Sequence, residues 1–208
     1  LIQNEIPEAQ IAIDSANPEA VEAGFKAHQG RALLNSINME KERMESIIPL
    51  IREHKPRVIG LTIDDNGVTQ DADKRFDLGV QLIELLTKND IDLDDIFIDP
   101  LIFPVSAELQ AGNVSLNIMG RLKEQYPGVH MVCGLSNISF GLPERKLINQ
   151  VYMMMAMGRG LDAAIIDPLD KRMMASIITA RTLLGQDKAC KGYLKAYRSD
   201  GLNLELVP

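Results

Sequence analysis

Short apolar runs alternate along this chain with longer stretches in which apolar residues recur at helical spacing. The run at 9–14 reads as a buried strand ending on Asp14, and Asn17-Pro18 supplies the cap and first turn of a helix. Residues 31–35 form a second apolar run ending on Asn35, followed at 40–54 by Met44, Ile47, Ile48 and Ile51 on one helical face. The same phrase returns with a strand at 58–63 and a helix at 74–87, a strand at 96–99 and a helix at 114–125, and a strand at 129–134 and a helix at 146–157. A last strand is expected at 162–167, before a helix carrying Met173, Met174, Ile177, Ile178 and Leu183. Residues 187–199 read as a short terminal helix and 200–208 as a loose end.

Strands separated by helices, with no hairpin signal between them, predict βα repeats around a parallel sheet, hence an α/β fold. Several strands end on an acid or amide, where a (β/α)8 TIM barrel places its active site, and no Gly-rich phosphate turn follows Ile13 or Leu34 as a doubly wound dinucleotide fold would require. A barrel is therefore expected, as a single domain over 1–208 with no internal linker. Six units fall two short of closing it, so two further βα units are expected before Leu1, with 1–7 as the tail of the second helix and its exit loop.

Composition narrows the class. Hydrophobic residues make up 46% and charged residues 25% of the chain, a globular balance that excludes a disordered or fibrous protein. The formal charge of -7 without a long basic run disfavours nucleic-acid coating and anionic membrane surfaces. Two distant cysteines, Cys133 and Cys190, give neither a disulfide framework nor a thiolate metal site. With no membrane-length apolar run or signal segment in the sequence, a cytoplasmic location is the expectation.

The candidate chemistry lies at the strand ends. Asp14, Asn35, Asp99 and Asn137 sit at or just beyond four of them and are expected to converge on one pocket. A carboxylate accepts from an amino group and an adjacent ring N–H, while an amide both donates and accepts, so the set suits a flat heterocycle. Each acid also suits helix capping or a turn, as Asp99-Pro100 illustrates. His28, His54 and His130 lack ligand spacing, Cys133 reads as a buried core thiol, and Met153 to Met155 with Met157 read as helix packing. Asp64-Asp65-Asn66-Gly67 lacks the remainder of a calcium loop and is expected as a turn above the pocket, where Asp64 could touch a ligand. Arg145 is a candidate contact for a substrate tail or an acidic partner.

The string Cys133-Gly134-Leu135-Ser136-Asn137-Ile138-Ser139-Phe140-Gly141-Leu142-Pro143, with Asn149 and the segment 160–167, resembles the pterin-binding methyltransferase family. That family includes methyltetrahydrofolate:corrinoid/iron-sulfur protein methyltransferase and the folate domain of cobalamin-dependent methionine synthase. The likeness extends through Ile13-Asp14-Ser15, Leu34-Asn35-Ser36-Ile37-Asn38 and Phe97-Ile98-Asp99-Pro100-Leu101. The resemblance implies a dihydropteroate-synthase-like barrel that holds methyltetrahydrofolate and moves its N5-methyl group to or from the cobalt of a corrinoid (cobalamin) on a partner protein. It assigns Asp14, Asn35 and Asp99 to the pterin ring and Asn137 to N5, with Asn137 and Asp99 serving the chemistry. It also implies a homodimer and no metal of the protein's own. A dihydropteroate-synthase-like pterin reaction is disfavoured, because Ser136-Asn137-Ile138 and Ile166-Asp167-Pro168 do not resemble that enzyme's late-strand motifs. A non-catalytic folate-binding module that docks a corrinoid protein is the alternative from another class.

Overall fold

Five parallel strands lie side by side in chain order in the computed structural model, which describes residues 2–202. They are β1 (Ala12–Asp14), β2 (Leu33–Met39), β3 (Arg57–Asp64), β4 (Ile96–Asp99) and β5 (His130–Met131), and each pairs with the next. The crossovers are α2 (Pro18–Ala27), α3 (Lys41–His54), α4 (Ala72–Lys88) and α5 (Ala111–Gln125). A short α1 (Ile2–Glu5) precedes the sheet, and α6 (Arg145–Met157), α7 (Lys171–Leu183) and α8 (Lys191–Arg198) complete the chain. An unreversed strand order has no switch point of the doubly wound kind, and it is the order of a barrel wall. Among the described residues no pairing joins β1 to the far edge of the sheet, so this wall is an open arc.

The sixth expected strand, 162–167, is reduced to two isolated bridges, Met131 with Leu161 and Gly134 with Ile165. The segment bonds on one side, with Asp162 and Ala163 N–H donating to the Met131 carbonyl and Ile165 N–H to that of Cys133. At this edge Ile165 is left largely exposed, so little burial holds a regular strand. The strand expected at 129–134 is likewise regular only at His130–Met131, because the chain then bends into the 3₁₀ turn Leu135–Ser139.

The core lies between the strands and the inner faces of the helices. Leu34, Val58, Ile96, Ile98 and Met131 are fully buried, and each such side chain contributes about 1.5–3 kcal/mol relative to an exposed one. On α4 the residues Leu78, Leu82, Ile83 and Leu86 face this core, as the helical spacing requires. Gly24 sets the seat of α2: a Cβ there would lie 2.9 Å from Ile13 Cγ2, so the missing side chain lets the helix close on β1 beside Asp14. The N-terminus of α2 is fixed by Asn17, whose side chain accepts from the Glu19 N–H at 2.8 Å, with Pro18 in the first turn. Cys133 is fully buried and Met153 and Met157 are largely buried, whereas Met155 is half exposed and departs from the expected packing role. Residues 203–208 of the expected loose end lie outside the described residues.

Candidate active site

Asp14 is the last residue of β1, and its register partner on β2 is Asn35. Equivalent positions on paired strands present their side chains to the same face, and here the Asn35 amide Nδ2 donates to Asp14 Oδ2 at 3.1 Å. Asn35 does not end its strand as expected. After two register shifts β2 continues to Met39, with Ile37 opposite Gly60 and Met39 opposite Asp64. The continuation buries Ile37 and Asn38, a gain that the polar residues Ser36 and Asn38 conceal in the sequence.

Asp14 and Asn35 line a polar cavity of about 560 Å³ together with Asn38, Glu40, Arg43 and Asp65. Asp65, not Asp64, reaches this wall, and its Oδ1 accepts from the Lys41 N–H at the start of α3 at 3.0 Å. Asp64 is closed into its own turn, with Oδ1 accepting from the Asn66 N–H at 2.9 Å and Oδ2 lying 3.2 Å from Lys74 Nζ. The Asn66 hydrogen bonds and the Lys74 ammonium hold its carboxyl below the usual range. The turn above the pocket is therefore present, but the acid facing the cavity is the neighbour of the expected one.

Asp99 ends β4 and does not line that cavity. Its Oδ1 accepts from the Leu101 N–H at 2.8 Å, and the carboxyl also receives the Gly134 N–H. Burial outweighs these bonds and pushes the carboxyl up to about 6. Gly134 links Asp99 to Asn137, since the Asn137 N–H donates to the Gly134 carbonyl at 3.4 Å and its Nδ2 lies 3.5 Å from where a Gly134 Cβ would stand. A Cβ at Gly134 would meet the amide at ordinary van der Waals distance. Asn137 is exposed on the 3₁₀ turn, its side chain free of hydrogen bonds among the described residues, so it is available to a ligand. Of the four expected residues, Asp14 and Asn35 thus form a hydrogen-bonded pair in one cavity, whereas Asp99 and Asn137 do not line that cavity.

Arg145, expected as a ligand or partner contact, is engaged with the turn itself. Its Nη2 donates to the Ser136 carbonyl at 2.7 Å and its Nε to Ser139 Oγ at 3.1 Å. Asn38, Glu40 and Arg43 were not anticipated in the site; their signal was position at the end of β2 and just after it, a feature shared with many surface residues. Among the described residues no cluster of three or more His, Cys, Asp and Glu side chains could hold a metal ion, and no helix is long and apolar enough to cross a membrane.

The sequence pattern of the family described as "Pterin binding enzyme" matches residues 1–167. The chain belongs to that family. It is 36% identical over 200 residues to the methylcorrinoid:tetrahydrofolate methyltransferase of Eubacterium limosum, covering 95% of this chain and 73% of that one. It is 33% identical over 168 residues to the methionine synthase of Mycobacterium tuberculosis, covering 75% of this chain but 14% of that much longer enzyme. Among solved structures, the dihydropteroate synthase of Xanthomonas albilineans superposes with a TM-score of 0.63 at 18% identity, covering 90% of this chain and 71% of that one. At that identity the likeness speaks to the fold, and it bears out the expected TIM-barrel arrangement. The family expected from the motif strings is borne out as well.

Proposed function

We propose that the protein moves the N5-methyl group between methyltetrahydrofolate and the cobalt of a corrinoid protein. The observation that carries this reading is the Asp14–Asn35 pair in a polar cavity at the strand ends, in a chain 36% identical to a methylcorrinoid:tetrahydrofolate methyltransferase. A pterin presents an amino group and a ring N–H side by side. The Asp14 carboxylate can accept both, while Asn35 keeps a carbonyl for a further donor after giving its N–H to Asp14. Asp99, at the end of β4, supplies a second acceptor of the same kind, with its position fixed by the Leu101 and Gly134 N–H groups.

Methyl transfer from N5 breaks a C–N bond whose electron pair stays on nitrogen, and a tertiary amine is a poor leaving group unless N5 carries positive charge. Asn137 has no dissociable proton at neutral pH, so its role is a hydrogen bond that strengthens as charge changes at N5. Its exposed place on the turn leaves the methyl group open to a large acceptor, as docking of a corrinoid protein requires. The corrinoid supplies the nucleophilic metal and receives the methyl group, so the protein's own task is binding, orientation and charge stabilisation.

The test is label transfer. With methyl-labelled methyltetrahydrofolate and reduced cobalamin, the full reading frame should place the label on cobalt in a protein-dependent manner. Tight folate binding with no label on cobalt, with free cobalamin or with corrinoid proteins, would assign the chain to the non-catalytic binding class.

A further inference from the structure

We propose that Arg43, Arg75 and Arg145 are positioning residues that set the strand-end side chains by holding the backbone carbonyls beside them; this rests on the pterin-site reading above. Arg43 and Arg145 lie in the first turn of the helix that follows a site-bearing strand or turn and reach back over it, whereas Arg75, near the start of α4 after β3, reaches across to the segment after β4. The Arg43 guanidinium donates to the Ser15 carbonyl at 3.0 Å and the Ala16 carbonyl at 2.9 Å, immediately after Asp14. It also donates twice to the Ser36 carbonyl, immediately after Asn35, at 2.6 and 3.0 Å. One planar fork therefore fixes the peptides following both members of the hydrogen-bonded pair.

Arg75 serves the segment after β4 from the neighbouring helix α4. Its Nη1 donates to the Pro100 and Leu101 carbonyls at 3.0 and 2.6 Å, directly after Asp99, and Leu101 is held at a φ of +59° while its N–H caps the Asp99 carboxyl. Arg145 brackets Asn137, bonded to the Ser136 carbonyl on one side and Ser139 Oγ on the other.

None of the three guanidinium groups forms an ion pair with an acid among the described residues. Arg75 is 1% exposed and its Nε has no partner there. Burying a cation without a carboxylate is costly, and an apolar side chain of similar volume would stabilise the fold better. What the fork adds is geometry: several N–H donors in one plane lock neighbouring carbonyls at fixed angles, which a flexible ammonium cannot do. A constellation that must hold a heterocycle to within a fraction of an ångström needs that kind of support.

The inference separates from a merely structural role by which kinetic constant moves. Arg43 acts on the binding pair, so Arg43→Met should raise KM for methyltetrahydrofolate about tenfold and leave kcat within about threefold. Arg145 acts on the turn carrying Asn137, so Arg145→Met should lower kcat about tenfold with KM within about threefold. The assay is transfer to reduced cobalamin by the full reading frame, with far-UV circular dichroism as the folding check. Arg43→Lys and Arg145→Lys, which keep charge and bulk but lose the fork, should show the same split, and they replace any methionine variant that does not fold. Variants that melt earlier yet keep both constants, or that lose KM and kcat alike without this division, overturn the proposal. A parent protein that binds no methyltetrahydrofolate instead overturns the reading on which it rests.

Discussion

Asn35 donates its side-chain amide to the Asp14 carboxylate across 3.1 Å, and the two residues are register partners on adjacent parallel strands. Strand pairing thus sets one oxygen of Asp14 before any ligand arrives and leaves the other oxygen free. Part of the orientation cost of binding is met during folding, which is what preorganisation means at this site.

Asn35→Ala removes that hydrogen bond and the proposed pterin contact while leaving the core untouched. We expect methyltetrahydrofolate affinity to fall about 10- to 100-fold, the range of one or two hydrogen bonds to charged or polar partners, with the melting temperature nearly unchanged. Titration calorimetry beside a thermal melt checks both halves.

Asp99 is expected to make binding and stability depend on pH in opposite directions. Its folded value of about 6 lies above the ordinary 3.8, so the folded state holds the proton more tightly and stability falls as pH rises through the window between about 4 and 6. In the proposed role the ionised form accepts pterin N–H donors, so affinity should rise through about pH 6. Asp99→Asn should abolish that pH dependence, weaken binding at pH 7, and raise stability there by up to about 3 kcal/mol. Unfolding curves at pH 5 and 7, paired with binding at the same pH values, decide it.

Asn137→Ala should slow single-turnover methyl transfer about 10- to 100-fold when chemistry is limiting, with methyltetrahydrofolate affinity within about threefold of the parent protein. An unchanged rate removes Asn137 from the chemistry.

The strand series was legible because β3 and β4 are continuous apolar runs between amphipathic helices, and Asp99 stands where the pattern put it. What was not legible depends on tertiary pairing. β2 runs on past Asn35 because Ile37 finds Gly60 across the sheet, although Ser36 and Asn38 look like the start of a loop. Asp65 faces the cavity in place of Asp64 because Asn66 and Lys74 claim the Asp64 carboxylate. Arg145 reads as an available charge in the sequence, and its engagement emerges only when the 3₁₀ turn folds back over it. The last strand was overestimated since an apolar run at an outer sheet edge has a pairing partner on one side alone.

Ile98 tests the scaffold under the site. It is fully buried on β4, one residue before Asp99, and Gly60 stands opposite it on β3. Ile98→Ala should cost about 2–5 kcal/mol in chemical denaturation, since the two glycines facing it, Gly60 and Gly79, have no side chains with which to fill the cavity.

The most direct measurement is a binding titration of methyltetrahydrofolate into the full reading frame at pH 7, alongside Asp14→Asn. The account expects saturable binding at one site per chain and a loss of at least about tenfold in the variant, because an amide in place of the carboxylate turns one of its two acceptors into a donor. No binding, or equal affinity in the two proteins, would contradict the assignment of the Asp14–Asn35 pair to the pterin.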